Sequence, residues 1–375
     1  FVYGYTAYLA NGESLSLSNG VQTNETGGNS ERFALDSYLA TFSYIYDEKY
    51  MLTANYRADG SSRYAPGHRW GHFGSVGAAW TFTNESFMES VSEWIKNGKL
   101  RLSWGVLGNQ INSLYSYTNM VGIYPVGSLP SANESSVGSP SITWERANTT
   151  DLGLEFSVGK YLDVELDYFH KLTDNLLFGR AVAPSLGYSS LPTNDAKMVN
   201  QGVEFTLKGH LVNERNVKLD IRLNGAHYTN KMTQMPVDYY DENGNPVRQK
   251  MSGAMAVGHS MYDHYTYVYG GVDAQGNALY QAYYDTRDGG LGAETANNGV
   301  NYIPSLQWIM NQEEAGVQNP EQYLADTLTP DLSYATAQYV GKSYLPDLAG
   351  GIGIDLETYG VTLSIACSYQ IGGYG

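Results

Sequence analysis

The stretch SYLATFSYIYDEKYMLTANY, residues 37–56, places apolar and aromatic side chains at every second position on both sides of a short polar break. Tyr, Phe, Leu and Ala take the even-numbered positions, and Ser, Thr and Asn take most of the odd-numbered ones. Because successive side chains of a β-strand point to opposite faces, this alternation indicates strands with one apolar and one polar face. The break at residues 47–49 is short enough for a hairpin, so the stretch predicts two paired strands.

The same alternation recurs along the chain, which predicts about eleven strands when residues 1–10 are included. The connections between the strands alternate between short polar breaks and long segments, which predicts an up-and-down sheet with one tight end and one elaborate end. Residues 84–97 are the exception, because their apolar residues recur at helical spacing behind Asn84 and predict a short helix. The other alternating segments are 76–82, 100–106, 152–158, 162–168, 203–207, 217–223, 352–356 and 361–369.

Two architectures fit an antiparallel sheet of this kind: a soluble sandwich, and a barrel that presents its apolar face to lipid. The alternating segments run for about 9 to 13 residues, whereas soluble strands are most often about 5 to 6 residues long. About 10 tilted residues span the hydrocarbon layer. Aromatic residues also lie near the strand ends, as an interfacial girdle requires. The pattern therefore favours an all-β, large antiparallel transmembrane β-barrel with short periplasmic turns and long extracellular loops.

Composition narrows the classes of function. The 375 residues carry a net charge of −16, which argues against a nucleic-acid binder, since such a protein needs a basic surface. The single Cys367 excludes an intrachain disulfide, and no run of apolar residues is long enough for a transmembrane helix. The sequence opens at Phe1 without an initiator Met or the pattern of a secretion signal, so we expect the chain to start as a mature protein or within a longer one.

Several sequence motifs are similar to those of one protein family, and they follow one another in the same order as in that family. The segment DGSSR, residues 59–63, resembles the DGSSRF signature of SusC/RagA-type TonB-dependent outer-membrane transporters. The segment ESFMESVSEWIKNGKLRLSWGVLGNQ, residues 85–110, resembles the family's helix followed by LKLRASYGxTGN. The sequence resembles later blocks of the family at residues 141–158, 161–178, 198–207, 258–280 and 345–373. Residues 290–343 match no family block that we identify.

The resemblance implies that residues 1–375 are part of a transporter barrel of about 22 strands with a plug in its lumen. Such transporters lie in the bacterial outer membrane, are energised through TonB and work with a SusD-like surface lipoprotein. They import oligosaccharides or, in some members, peptides, and the resemblance also allows a dimer of transporter–lipoprotein pairs. The signal peptide, the TonB box, the plug and the final strands have no counterpart in this sequence, so we expect a fragment.

Candidate substrate-binding residues lie in the long loops, where aromatic rings can stack on sugars and polar groups can bind hydroxyls. In the DGSSR segment, Gly60 is expected to permit the turn, and Arg57, Arg63 and Arg69 supply donors unless they pair with neighbouring acids to hold the loop or plug. No catalytic constellation, metal site or cofactor site is predicted, and the chain is not expected to be an enzyme. The candidates for substrate contact are Arg63, Tyr64, Trp70, Tyr124, Tyr265 and Tyr267.

Glycan import is therefore the leading hypothesis, with peptide import by the same type of transporter as its nearest alternative. A passive porin or an adhesin barrel would need no plug and no TonB box. A secreted β-sandwich with binding or hydrolase activity would fractionate as a soluble protein without detergent.

Overall fold

The computed structural model describes residues 31–126, 129–182, 190–287, 294–296, 300–303, 305 and 307–375. Its main feature is an antiparallel sheet of ten strands in which each strand pairs with the next. The eleventh strand, expected at residues 1–10, lies outside the described residues. The ten strands are β1 (Leu35–Tyr46), β2 (Tyr50–Ser61), β3 (Trp70–Trp80), β4 (Ile95–Asn109), β5 (Glu145–Val158), β6 (Leu162–Ala181), β7 (Ser190–Glu214), β8 (Val217–Gln234), β9 (Leu348–Thr358) and β10 (Val361–Ile371).

The sheet has one tight end and one elaborate end, as the connections predict. Short turns join β1 to β2, β5 to β6, β7 to β8 and β9 to β10. The segments at the opposite end are longer, and the largest lies between β8 and β9. None of the helices among the described residues has both the length and the apolar character needed to cross a membrane.

One row of paired residues crosses all ten strands on the apolar face of the sheet. Its members are large apolar or aromatic residues except at two glycines, and Tyr46, Leu100 and Leu166 are among those exposed in the described structure. A continuous apolar surface of this extent requires a covering surface or solvent other than water. The row runs through Tyr46, Tyr50, Trp80, Leu100, Leu154, Leu166, Phe205, Gly225, Gly350 and Tyr369.

The row is staggered relative to the strand ends. Tyr50 is the first residue of β2 counted from the tight end, Leu166 is the fifth residue of β6, and Tyr369 is the ninth residue of β10. The strands are therefore inclined to the direction in which the sheet extends. A sheet needs this combination of tilt and stagger to close into a barrel. Leu154 and Leu166 lie in the middle of the row, about halfway between the two ends of the apolar band.

The two glycines of the row are covered by neighbouring rings. A Cβ atom at Gly225 would lie 2.7 Å from the ring of Phe205 and 2.8 Å from the hydroxyl oxygen of Tyr369. That hydroxyl donates a hydrogen bond to the carbonyl oxygen of Asn224 at 2.8 Å. The aromatic side chains thus keep the apolar face continuous where the backbone carries no side chain.

The opposite, polar face carries ion pairs between neighbouring strands. Arg101 on β4 lies 2.7 Å from Glu155, 3.1 Å from Glu165 and 3.0 Å from Asp167. These groups are about a third to a half exposed, so each pair contributes little to stability by itself. Their concentration on one face shows that this face is built for contact with water. Other pairs on it are Lys208–Asp220, Lys218–Glu357 and Arg222–Asp355.

The helix expected at residues 84–97 is replaced by two short 3₁₀ segments, Phe82–Asn84 and Ser86–Val91. Glu85 separates them in an extended conformation, with φ −84° and ψ 145°, which breaks the helical hydrogen-bond series. Asn97 lies already within β4 and has a positive φ of 53°. The prediction of a short helix over residues 84–97 is therefore wrong: the turn contains two 3₁₀ segments, and its last residues belong to β4.

The DGSSR segment is mostly strand and not the turn that the sequence indicated. Gly60 lies within β2 and pairs with Asp36 and Trp70, and the turn begins only after Ser61. A Cβ atom at position 60 would lie 2.9 Å from the Trp70 indole, so the glycine makes room for that ring. Gly67, with φ +94°, provides the left-handed conformation of the actual turn.

The elaborate end contains its own small elements. Met120–Val126 pairs with Leu129–Ser136 between β4 and β5. Between β8 and β9, the hairpins are Val237–Tyr240 with Pro246–Arg248 and Met251–Ser252 with Met255–Ala256, and Asp263–Tyr267 pairs with Ala337–Ser343. A five-stranded sheet consists of Tyr269–Val272, Ala278–Asp285, Glu294–Ala296, Val300–Ile303 and Leu324–Thr329, with α1 at Gln307–Glu314 and 3₁₀ turns at Pro320–Tyr323 and Leu332–Tyr334.

Candidate functional site

A cavity of about 480 Å³ opens on the polar face near the elaborate ends of β1 to β4. Its volume lies within the range of sites that bind small ligands. Trp144, from the segment before β5, supplies an aromatic wall. The polar residues that line the cavity are Asn55, Arg57, Asp59, Ser75, Asn109 and Gln110.

Three side-chain amides of the cavity retain hydrogen-bonding capacity. Asn55 Nδ2 donates to Ser75 Oγ at 3.1 Å, and Asn109 Nδ2 donates to Glu145 Oε1 at 3.3 Å. Gln110 Oε1 accepts from a serine hydroxyl at 3.1 Å. Since an amide group offers two donor hydrogens and an acceptor oxygen, each of them can still bind a ligand hydroxyl or peptide group.

The three arginines of the DGSSR region have structural partners. Arg57 Nε lies 2.7 Å from Asp59 Oδ2, and the Asp59 side chain is only 8% exposed. Arg63 donates to a backbone carbonyl oxygen of Ile111 at 2.6 Å, and Arg69 Nε donates to the carbonyl oxygen of Tyr64 at 3.2 Å. One arginine therefore pairs with an acid, and the other two hold the loop through its backbone.

A buried aromatic cluster supports the cavity from the loop side. The ring of Trp144 lies 5.3 Å from that of Tyr64 and 5.4 Å from that of Phe73, and Val106 and Ile142 complete the cluster. Trp144 Nε1 also donates to the carbonyl oxygen of Arg69 at 2.9 Å. The cluster fixes the segment before β5 against the turn between β2 and β3 and against β3 and β4, which positions one wall of the cavity.

Tyr64 is fully buried within this cluster and offers no surface to a ligand. Its hydroxyl accepts a hydrogen bond from the backbone amide of Ile111 at 3.0 Å. Burial raises the pKa of the Tyr64 hydroxyl. Tyr64 therefore packs the loop in this structure, and its contact with substrate stays a prediction.

Trp70 lies on the apolar face of the sheet and not in the cavity. It is the first residue of β3, ten residues from Trp80 on the same face, and its ring stacks on Tyr38 at 5.9 Å. Trp70 and Trp80 thus mark the two ends of the apolar band on one strand, as two aromatic girdles would. Contact between Trp70 and substrate stays a prediction.

The remaining candidates are spread over other loops. Tyr124 belongs to the strand Met120–Val126, and its side chain lies outside the described structure. The Tyr265 hydroxyl lies 2.7 Å from Ser305 Oγ, and its ring contacts Tyr339 edge to face at 4.9 Å. Tyr267, two residues further, is 40% exposed. Among the five candidates whose side chains the structure describes, Arg63, Tyr64, Trp70, Tyr265 and Tyr267, no common site is formed.

The large insertion between β8 and β9 is organised around Arg287. Its guanidinium makes two hydrogen bonds to the buried carboxylate of Asp285, at 3.0 and 2.8 Å, and lies over the rings of Tyr323 and Trp308 at 4.5 and 5.3 Å. Burial acts to raise the pKa of Asp285, but its hydrogen bonds with Arg287 outweigh burial and hold that pKa below the usual carboxyl range. The pair is therefore retained at neutral pH and lost only as the pH falls through the depressed pKa.

Arg287→Lys is expected to loosen this insertion, because an ammonium cannot reproduce the paired hydrogen bonds or the stacking. We expect a loss of about 1.5–3 kcal/mol of local stability, the range for hydrogen bonds to charged groups. Hydrogen exchange of the strand Ala278–Asp285 measures it, with the exposed Arg215→Lys as the matched control. Equal exchange in both variants would show that the arginine cluster does not hold the insertion.

No group of three or more His, Cys, Asp or Glu suited to a metal ion is found within the described ranges. His68 and His72, four residues apart, differ in placement: His68 lies in the turn after β2, whereas His72 lies in β3. The chemistry that the cavity offers is therefore hydrogen bonding by amides and ionised groups beside an aromatic ring.

Comparison with known proteins identifies relatives of the whole sheet. A family profile described as "TonB dependent receptor-like, beta-barrel" matches residues 2–374. The TonB-dependent receptor SusC of Bacteroides thetaiotaomicron is 27% identical over 72% of this chain and 28% of its own length. A TonB-dependent receptor of Formosa agariphila is 28% identical over 59% of this chain and 21% of its own. The chain thus spans only 21–28% of the length of these relatives.

Solved structures show the same fold. The RagAB peptide importer in its closed-closed state superposes with a TM-score of 0.67 at 22% identity, covering 95% of this chain and 36% of that one. A second structure, of the RagAB peptide transporter, superposes with a TM-score of 0.68 at 21% identity, covering 95% and 36%. At this level of identity the likeness extends to the fold alone.

Proposed function

Because the chain belongs to the TonB-dependent receptor-like β-barrel family, we propose that it forms part of the wall of a bacterial outer-membrane transporter that imports oligosaccharides. The ten strands supply a lipid-facing apolar surface and a polar surface toward the lumen. Import would be driven through TonB, and a SusD-like surface lipoprotein would cover the extracellular end. The similarity to SusC supports this assignment, together with the fold shared with RagAB.

The proposed substrate class rests on the residues of the cavity on the polar face. Amides at Asn55, Asn109 and Gln110 flank an aromatic wall, and sugars are bound by such planar polar groups and rings. Peptide import is the second candidate, because the structures with the same fold are described as a peptide importer. Amides can pair with peptide groups as well as with hydroxyls, so only transport measurements decide between them.

The proposed contacts differ from those indicated by the sequence. Asn55, Arg57 and Asn109 lie in the cavity, and the exposed Tyr267 is the extracellular candidate that keeps an accessible ring. Arg63 and Tyr265 are engaged in holding loops and would act by positioning other residues. Tyr124 stays a candidate for contact with substrate.

Asn55→Ala and Asn109→Ala are each expected to reduce substrate affinity about three- to ten-fold, because each removes hydrogen bonds worth about 0.5–1.5 kcal/mol. Uptake of labelled oligosaccharides and peptides by cells that express the full transporter with its lipoprotein measures the effect. Asn213→Ala, an exposed amide at the tight end of β7, is the matched control.

If cells with either variant took up every substrate as well as cells with the control, the cavity would not be a substrate-binding site. Uptake of peptides but not oligosaccharides, reduced by the same variants, would favour the second candidate. Uptake that continues after TonB is deleted would contradict active import.

A further inference from the structure

A second cavity, of about 530 Å³, is lined by residues of β1 to β5. It shares part of its lining with the polar cavity, at Asn55, Tyr56, Phe73, Gly74, Ser75 and Val106. The register places the rest of its β1 to β4 lining mainly on the apolar face, at Ala40, Phe42, Ala54, Val76 and Trp104. Its floor is made of small side chains between two large aromatic ones. An empty groove of this kind forfeits dispersion contacts along its lining, which an acyl chain would restore. The floor consists of Ala40, Ala54, Gly74 and Val76, and Phe42 and Trp104 form the walls.

The extracellular end of the groove is polar and carries a cation. Arg146 is the second residue of β5 and His72 the third residue of β3, so both lie where these strands meet the long loops. Arg146 is exposed and forms no ion pair within the described part of the chain. His72 Nδ1 lies 2.7 Å from the hydroxyl of Tyr56, and the two rings stack at 6.1 Å.

The position of these groups indicates which kind of ligand the groove binds. The floor of the groove belongs to the apolar surface that faces acyl chains, and its cationic end lies at the level of the outer lipid headgroups. A guanidinium at that level is suited to bind a phosphate with two parallel hydrogen bonds. A protein partner would need no apolar floor that is continuous with the lipid-facing surface.

We propose that this groove is a specific site for an anionic, phosphate-bearing lipid of the outer leaflet. One acyl chain lies along Ala40, Ala54 and Val76 between the two aromatic walls, and the phosphate contacts Arg146. The Tyr56–His72 pair closes the side of the headgroup site. The inference rests on the lipid-facing assignment of the apolar face, and not on the nature of the transported substrate.

The test is native mass spectrometry of the full transporter, purified in a mild detergent and titrated with phosphatidic acid. Diacylglycerol with the same acyl chains is the matched probe that lacks only the phosphate. Arg146→Gln is expected to weaken the binding of phosphatidic acid about five-fold, since a basic residue near a lipid surface contributes about 1 kcal/mol. Arg215→Gln, an exposed cation at the tight β7–β8 turn, is expected to change nothing.

A second variant tests the groove itself. Ala54→Phe fills the floor with a side chain that the lipid-facing surface tolerates, and it is expected to displace both lipids. Equal retention of phosphatidic acid by Arg146→Gln and Arg215→Gln would overturn the proposal, and so would equal binding of phosphatidic acid and diacylglycerol. If the protein instead fractionated as a soluble protein without detergent, the lipid-facing assignment itself would be contradicted. Failure of the lipid site and failure of the lipid-facing assignment are therefore distinguishable.

Discussion

Leu154→Arg is expected to destabilise the folded protein by about 2–4 kcal/mol, the cost of a cation near the middle of the lipid-facing surface of a barrel. Leu154 is the fifth of the ten residues in the apolar row, so it lies about halfway between the two aromatic ends of that row. Urea titration of the full transporter refolded into lipid vesicles measures the free energy of unfolding. In cells, the same change is expected to lower the amount of folded protein in the outer membrane.

Thr206→Arg is the matched control for this substitution. Thr206 lies on the polar face of β7 and pairs with Glu165 of β6, so a new cation meets water and an acid. We expect a change of less than about 0.5 kcal/mol, as for ordinary surface substitutions. Equal losses in the two variants would show that the two faces do not differ in their environment.

Trp144→Ala is expected to cost about 3–5 kcal/mol of local stability, the range for deletion of a buried aromatic side chain. Trp144 is 5% exposed, contacts Tyr64 and Phe73, and donates to the carbonyl oxygen of Arg69. The loss is expected in the extracellular loops and not in the strands. Hydrogen exchange of residues 61–70 and 140–144 measures it, as does cleavage by protease added outside intact cells.

Trp94→Ala removes the same side chain at the tight end, where Trp94 is 71% exposed. This control is expected to leave exchange in the extracellular loops unchanged. If Trp144→Ala left those loops protected, the aromatic cluster would not be what positions the cavity wall. Reduced uptake with protected loops would instead indicate direct contact between Trp144 and substrate.

The strands could be predicted from the sequence because lipid and water impose opposite requirements on alternate residues. The alternation at residues 37–56 identified β1, β2 and the turn between them. Tilt could not be predicted in this way, because stagger depends on which residues pair across strands. The position of Tyr369 in the same row as Tyr50 emerges only from the register of all ten strands.

The side of the sheet on which Trp70 lies follows from the sequence. Counting in twos from Trp80 through Val76 reaches Trp70, which places it on the apolar face. Gly60 was assigned to a turn because glycine is common in turns, whereas here it makes space for the Trp70 ring. The preference of glycine for turns therefore suggested the wrong role for Gly60, because its contact with a ring on the neighbouring strand is what requires a glycine there.

The cavity could be predicted only in part. Asn55 and Arg57 alternate with apolar residues in β2, so their polar face was expected. Trp144 carried no periodic signal, because it lies in a loop and its partners come from distant segments. The burial of Tyr64 likewise depends on the packing of separate loops, which no local pattern encodes.

Spin-label accessibility along β5 tests most directly whether the apolar face meets acyl chains and the polar face meets water. Single cysteines would be placed at residues 151–156 of the full transporter in vesicles, with the exposed Cys367 replaced by serine. We expect collisions with oxygen to be highest at positions 152, 154 and 156, and collisions with a water-soluble nickel chelate to be highest at 151, 153 and 155. A label at position 154 that is shielded from both reagents would place Leu154 in a dry protein interior and contradict a lipid-facing wall.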